Sequence, residues 1–276
     1  MDDSTQPEPA ANGSEAGSPQ PCEVAGEVLG KPSTTSTGPP WVFLDIFRML
    51  LYVACSWIVM LFVILTGLVA ATIVLGDMPE FFDPENTALL LTLTAVSEML
   101  FVFYLYRAAA KRYKQSFWKA INWFRLGSRE TNYFLGGIGL AILSLTFHYY
   151  AQTPISPFWS ELMRDTTTAY LVALFGISVG PFIEEVVFRG FLFPICKNLT
   201  GVSAAILINT ILFGAIHLPS SLPGWIDILF FGAVVTYYRW KTDSLISSYL
   251  LHAANNLTAF GLIYVTTNRF RDLAGC

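Results

Sequence analysis

The chain is 276 residues long, 54% hydrophobic and only 13% charged, with a mean hydropathy of +0.52. A soluble domain carries roughly 25% charged residues, so there is too little charge here to keep a surface wet, and a water-soluble globular fold is excluded. The net charge of −4 belongs to one end: residues 1–40 hold six acids and one base while the remainder is nearly neutral, so no basic surface points to nucleic acid as a partner.

Residues 1–40 are rich in Pro, Gly, Ser, Thr, Glu and Ala, a composition that buries too little apolar area to offset ordering entropy. The segment is expected to be a disordered acidic tail. It has neither the basic and apolar regions of a signal peptide nor the basic character of a transit peptide. The four cysteines, Cys22, Cys55, Cys196 and Cys276, are scattered without metal-ligand spacing.

Residues 49–76 run without a charge, longer than the ~20 residues a helix needs to cross a hydrocarbon core. Further apolar runs cover about 87–106, 133–151, 168–183, 202–217, 222–238 and 244–265. Backbone polar groups in lipid must be satisfied within a segment, so these runs are helices. The predicted fold class is an all-α, polytopic transmembrane helical bundle. It has about seven spans, or eight if residues 186–197 form a separate short or re-entrant helix. The predicted organisation is a tail over 1–40, N-terminal spans over 41–164, a second membrane domain over 165–265 and a C-terminal tail over 266–276.

Arg107, Lys111, Arg112, Lys114, Lys119, Arg125 and Arg129 crowd one loop, whereas Asp77, Glu80, Asp83 and Glu85 occupy the loop before it without a base. The positive-inside rule makes the basic loop over 107–129 and the N-terminus cytoplasmic. Arg269 and Arg271 then fall outside, against the rule. The expected location is a multi-pass protein of a bacterial inner membrane.

An ionisable side chain inside a span costs about 2.5–3.5 kcal/mol on the insertion scale, so it faces a bundle interior and usually serves a purpose. Lys197, Arg239, Lys241 and Asp243 flank span ends and are expected to snorkel; His148 is expected to be structural. Three patterns remain. In GPFIEEVVFRG, residues 180–190, Pro181 removes a donor and Gly180 loosens the turn. Glu185 and Arg189 share a face at i, i+4 and can pair, leaving Glu184 about 100° round the helix to point elsewhere. In FGAIH, Phe213 lies one turn before His217. In HAANN, His252 and Asn256 lie one turn apart while Asn255 points away.

Each pattern alone also fits a helix–helix contact. Together they supply a free carboxylate, a histidine and a His/Asn donor pair, a set sufficient for hydrolysis: a base to activate water and donors to hold an oxyanion. No GxSxG elbow and no HExxH helix is present.

The motifs EExxxR, FxxxH and HxxxN, in that order, resemble those of the CPBP family (CAAX prenyl proteases and bacteriocin-processing enzymes, also called Abi). The resemblance covers roughly residues 165–265. It implies a glutamate-dependent intramembrane endopeptidase in which Glu184 and His217 activate water, His252 and Asn256 stabilise the oxyanion, Glu185 and Arg189 orient the site, and Phe213 walls it. A metal-free site is the expectation; the alternative places zinc on Glu184, His217 and His252. The implied partners are the lipid bilayer and a membrane-associated protein or peptide, prenylated in one branch of the family. The rival functions are a proton-coupled transporter, because buried Glu, His and Arg can relay protons, and a non-catalytic membrane scaffold.

Overall fold

The computed structural model describes residues 39–75, 87–153, 163 and 166–267. The expectations for residues 1–38, for Asp77, Glu80, Asp83 and Glu85, and for Arg269, Arg271 and Cys276 lie outside them. Among the described residues there is no strand. The helices are α1 (Leu44–Leu75), α2 (Thr87–Lys111), the one-turn α3 (Phe117–Ala120), α4 (Glu130–Tyr150), α5 (Thr166–Thr200), α6 (Val202–His217), α7 (Leu222–Thr242) and α8 (Leu245–Thr266). Leu44–Val74, Thr92–Lys111, Gly127–Tyr150 and Thr166–Thr200 are long and apolar enough to cross a membrane. Ile58, Phe62, Ile73 and Val74 on α1 are all exposed, an apolar surface that water would not tolerate but lipid does. The chain is an all-α membrane protein.

The seven apolar runs each become one long helix, and residues 186–197 are not the separate helix allowed for. They lie within α5, which runs unbroken for 35 residues. Two π-helical segments, Phe175–Val179 and Val186–Leu192, interrupt its α-geometry, and each stands just before a proline, Pro181 or Pro194. In a regular α-helix a proline ring clashes with the carbonyl four residues back and leaves it without a donor. The wider π turn relieves that clash and lets the helix continue. Carbonyls of the widened turns accept from other helices or segments: Gly176 O from Asn256 Nδ2 at 2.8 Å, Phe188 O from Asn209 Nδ2 at 2.8 Å and Gly190 O from Trp41 Nε1 at 2.9 Å.

The most extensive packing joins α4 to α8 and α6 to α7, with α5 touching α2, α6 and α8. The α4–α8 crossing requires glycine. A Cβ at Gly137 would lie 2.3 Å from Leu251 O and 2.8 Å from Ala254 Cβ. Farther along α4, His148 Nε2 and Ser144 Oγ meet Asp227 Oδ2 of α7 at 3.1 and 2.7 Å, a contact between helices outside the three motifs. Arg239 departs from expectation. It does not snorkel but is 2% exposed, with Nη1 donating to Asp243 Oδ1 at 3.1 Å. The exposed Asp243, turned outward by its left-handed backbone (φ 55°), carries the charge to the surface in its place.

A second polar knot closes the other end of the bundle. Asp45 is wholly buried and accepts from Val42 N at 3.1 Å, Arg48 Nη1 at 3.1 Å and the Tyr113 hydroxyl; Arg112 Nε stands 3.5 Å away. Trp41 stacks edge-on against Tyr113 and Phe191, so this knot anchors the chain entering α1 to α5. The loop before α8 is tied as well: Ser244 Oγ donates to Phe124 O at 2.6 Å and caps α8 by accepting from Ile246 N at 3.2 Å.

Two outcomes follow. Gly137→Ala is expected to cost about 1–3 kcal/mol through overpacking against backbone, whereas Gly139→Ala, whose Cβ meets nothing within 4 Å, is expected to be neutral or slightly stabilising; thermal unfolding of purified protein in detergent compares them. Partial burial and the bond to Asp45 push the Tyr113 hydroxyl up from 10.0 to about 12. A folded-state pKa above the unfolded value gives stability that is full below pH 10 and lost as pH rises toward 12. Tyr113→Phe is expected to flatten the stability profile over that window, measured by unfolding at stepped alkaline pH.

Candidate active site

The three motifs meet. Glu185 and Arg189 of α5 are both fully buried and pair at 3.0 Å through Glu185 Oε1 and Arg189 Nη1. The remaining donors of the guanidinium are directed at α7: Nε donates to Thr236 Oγ1 at 3.1 Å and Nη2 to Gly232 O at 3.2 Å. Its face lies 4.2 Å from the centre of the Phe213 ring, a cation–π geometry. Thr236 is itself fixed by Gly232 O at 2.7 Å and Asn209 Oδ1 at 3.2 Å. A buried charge is tolerable only when paired and hydrogen-bonded, and here that condition recruits α5, α6 and α7 together.

Phe213 is fully buried at the centre. Its ring centroid is 4.5 Å from that of His217, 5.9 Å from that of His252 and 5.3 Å from that of Phe188. Phe231 of α7 packs edge-on against His252 at 5.0 Å. The expectation that Phe213 walls the site agrees with this placement, and Phe231 completes the wall.

Glu184 points elsewhere, as the helical offset predicts. Its Oε2 is buried without a hydrogen-bond partner and faces His217 Nε2 at 3.7 Å and His252 Nε2 at 3.9 Å. The tautomers follow from the other ring nitrogens. His217 Nδ1 lies 2.8 Å from Phe213 O and His252 Nδ1 lies 2.9 Å from Glu185 Oε1. Both partners are acceptors, so each Nδ1 carries the proton and donates. Nε2 of each ring is therefore the nitrogen turned toward Glu184. The separations exceed hydrogen-bond reach, so one carboxylate oxygen and two imidazole nitrogens face a common point without bonding one another. Glu184 is 23% and His217 29% exposed, against 4% for His252: the cluster opens on the side of Glu184 and His217.

Asn256 is placed less simply. Its Nδ2 donates to Gly176 O of the first π segment at 2.8 Å, and its Oδ1 accepts from Asn255 Nδ2 at 3.2 Å. Asn255 therefore does not point away; it holds the amide of Asn256 in one orientation. A Cβ at Gly176 would come within 2.8 Å of the Phe260 ring, so glycine is what lets α8 approach close enough for this bond.

Ligand atoms around a tetrahedral zinc lie about 3.4 Å from one another at bond lengths near 2.1 Å. Glu184 Oε2 stands farther than that from both imidazoles, and among the described residues no group of three or more His, Cys, Asp and Glu side chains is gathered to hold a metal ion. Glu184, His217 and His252 are the residues that would hold zinc in the alternative reading.

Asn209, Thr236 and Gly232 escaped the sequence reading although a signal existed. Asn209, Phe213 and His217 form one stripe at i, i+4, i+8, so extending the Phe213–His217 motif by a turn finds Asn209; Gly232 and Thr236, one turn apart on α7, are signalled only by their small-residue and hydroxyl spacing within an apolar run. Arg189→Met leaves Glu185 charged and unpaired in the core and is expected to cost about 3–5 kcal/mol, with much of the loss recovered in the double variant Glu185→Gln/Arg189→Met. Thermal unfolding of Arg189→Met, Glu185→Gln and the double variant in detergent measures the coupling.

Residues 166–258 match the family model described as type II CAAX prenyl endopeptidase, Rce1-like. YyaK of Bacillus subtilis (strain 168), an uncharacterised protein, is 34% identical over 145 residues, which are 50% of this chain and 47% of that protein; the chain thus spans about half the length of the curated relative it matches. No solved structure matches. Glu184, Glu185, Arg189, Phe213, His217, His252 and Asn256 all fall inside the matched stretch, so the part of the chain that is similar to the Rce1-like family is the part that holds the site.

Proposed function

We propose that the protein is an intramembrane endopeptidase that hydrolyses a peptide bond of a membrane-associated substrate. The observation that carries this reading is the unpartnered Glu184 Oε2 facing two imidazole Nε2 atoms. A buried carboxylate oxygen without a hydrogen-bond partner is suited to a molecule bearing protons, and a water there lies beside Glu184 and His217.

In the reaction, Glu184 and His217 accept a proton from that water as its oxygen attacks the scissile carbonyl carbon. Charge moves onto the carbonyl oxygen. Asn256 stabilises the oxyanion with its second N–H, and His252, donating to Glu185 through Nδ1, does so as an imidazolium that enters the reaction with a proton already on Nε2 and keeps it throughout. When the C–N bond breaks, the proton held at Glu184 passes to the leaving amine, and the site returns to its starting state. Glu185 and Arg189 keep the ring of His252 in one orientation, the role that a buried carboxylate plays toward a catalytic histidine in other hydrolases.

The matched family adds the substrate class: a peptide near a membrane surface, prenylated in the prenyl-endopeptidase branch. The basic loop over 107–129 supports a cytoplasmic N-terminus, and the match to a Bacillus subtilis protein suits a bacterial cell membrane.

Glu184→Ala and His217→Ala are each expected to lower turnover by about 10²–10⁴-fold while leaving the protein folded. The measurement compares new C-termini in membrane proteomes from cells carrying the wild type and Glu184→Ala. Identical sets of C-termini would end the peptidase reading. Activity of the purified protein is expected to survive a strong zinc chelator, and its loss on chelation with recovery on added zinc would favour the metal alternative.

A further inference from the structure

Glu98 is the single Asp, Glu, Lys, Arg or His in the stretch of α2 from Thr92 to Tyr106. It lies outside the stretch that matches the family, and its helix packs against α5. Its Oε2 is buried and has no hydrogen-bond partner, and no cation among the described residues pairs with it. Instead the carboxylate is within electrostatic reach of Glu184. A carboxylate placed in a span next to a second carboxylate, with neither a cation nor a donor to offset the cost, does not have the surroundings of a structural ion pair. Each of the two side chains has a buried oxygen without a hydrogen-bond partner, Glu98 on α2 and Glu184 on the part of α5, Gly180–Glu185, against which α2 packs.

We infer that Glu98 is a further residue of the hydrolytic site, accepting the second hydrogen of the water that Glu184 and His217 activate. A water has two protons. One goes to the base; if the other is held by Glu98, the oxygen lone pairs are fixed toward the scissile carbonyl and the attack geometry is preset rather than sampled. The reaction balances as before, because Glu98 holds a proton that stays on the water oxygen and takes none. The first three spans, which carry no motif, thereby contribute to the site. This inference rests on the peptidase reading.

The test uses full-length protein in detergent and an internally quenched peptide spanning a Glu184-dependent cleavage site from the proteomic comparison. Glu98→Leu is expected to lower kcat about 100-fold with KM within about threefold. Its melting temperature should be unchanged or higher, since an unpaired buried carboxylate gives way to an apolar side chain. Glu98→Gln keeps an acceptor oxygen without the charge and is expected to retain kcat within about tenfold. Wild-type kcat in Glu98→Leu, equal losses in the Leu and Gln variants, an effect on KM alone, or a fall in melting temperature that tracks the loss of activity would each overturn the inference. If the wild type and Glu184→Ala do not differ on the peptide, the peptidase reading fails and this one with it; a Glu184-dependent activity indifferent to Glu98 removes this inference alone.

Discussion

The fully buried pair of Glu185 and Arg189 is the constraint around which the matched half of the chain is organised. Taking two charges out of water costs several kcal/mol per ion, and the partners gathered round the pair offset that cost although Glu185 Oε2 is left without one. Arg189 draws in Glu185, Thr236, Gly232 and the face of Phe213. Glu185 draws in His252. Once those demands are satisfied, α5, α6, α7 and α8 have little freedom left, and the ring of His252 is presented in one orientation.

Two adjacent glutamates thus come to differ entirely in character although the sequence writes them alike. Glu185 lies on the inner face, where a guanidinium and an imidazole consume one oxygen. Glu184, one residue earlier, faces the partly open side and meets the Nε2 atoms of two histidines beyond hydrogen-bond reach. The division follows from the 100° step of the helix and from which neighbours occupy each direction, with no change in residue chemistry.

The membrane class and the succession of seven long helices are legible in composition and run length, because exclusion from water acts on whole segments. The Glu185–Arg189 and Phe213–His217 relations are legible for a different reason: both are one-turn spacings within a single helix. What depends on contacts between helices is not legible in this way. Asn209 and Thr236 look like ordinary polar residues until Arg189 is seen to need them, and Arg239 is indistinguishable from a snorkelling arginine until Asp243 is found outside it. Glu98 has no partner one turn away, so periodicity passes over it. The run of α5 through residues 186–197 was hidden because two prolines ordinarily signal breaks, and only π geometry reconciles them with an unbroken helix.

That geometry has a consequence for how this helix can vary. A π turn accommodates one more residue than the α turn it replaces, so the angular relation between Gly176, Glu184 and Arg189 depends on how many residues lie in Phe175–Val179 and Val186–Leu192. Removing or adding one residue in either segment would rotate everything on one side by about 100° relative to the other, carrying Glu184 away from both imidazoles or Arg189 away from Glu185. Side chains of this stretch that make no contact within the site are open to exchange, but its length is not. Change in the lineage of such a helix is therefore channelled into substitution, while insertion and deletion are left to the loops that join it to its neighbours.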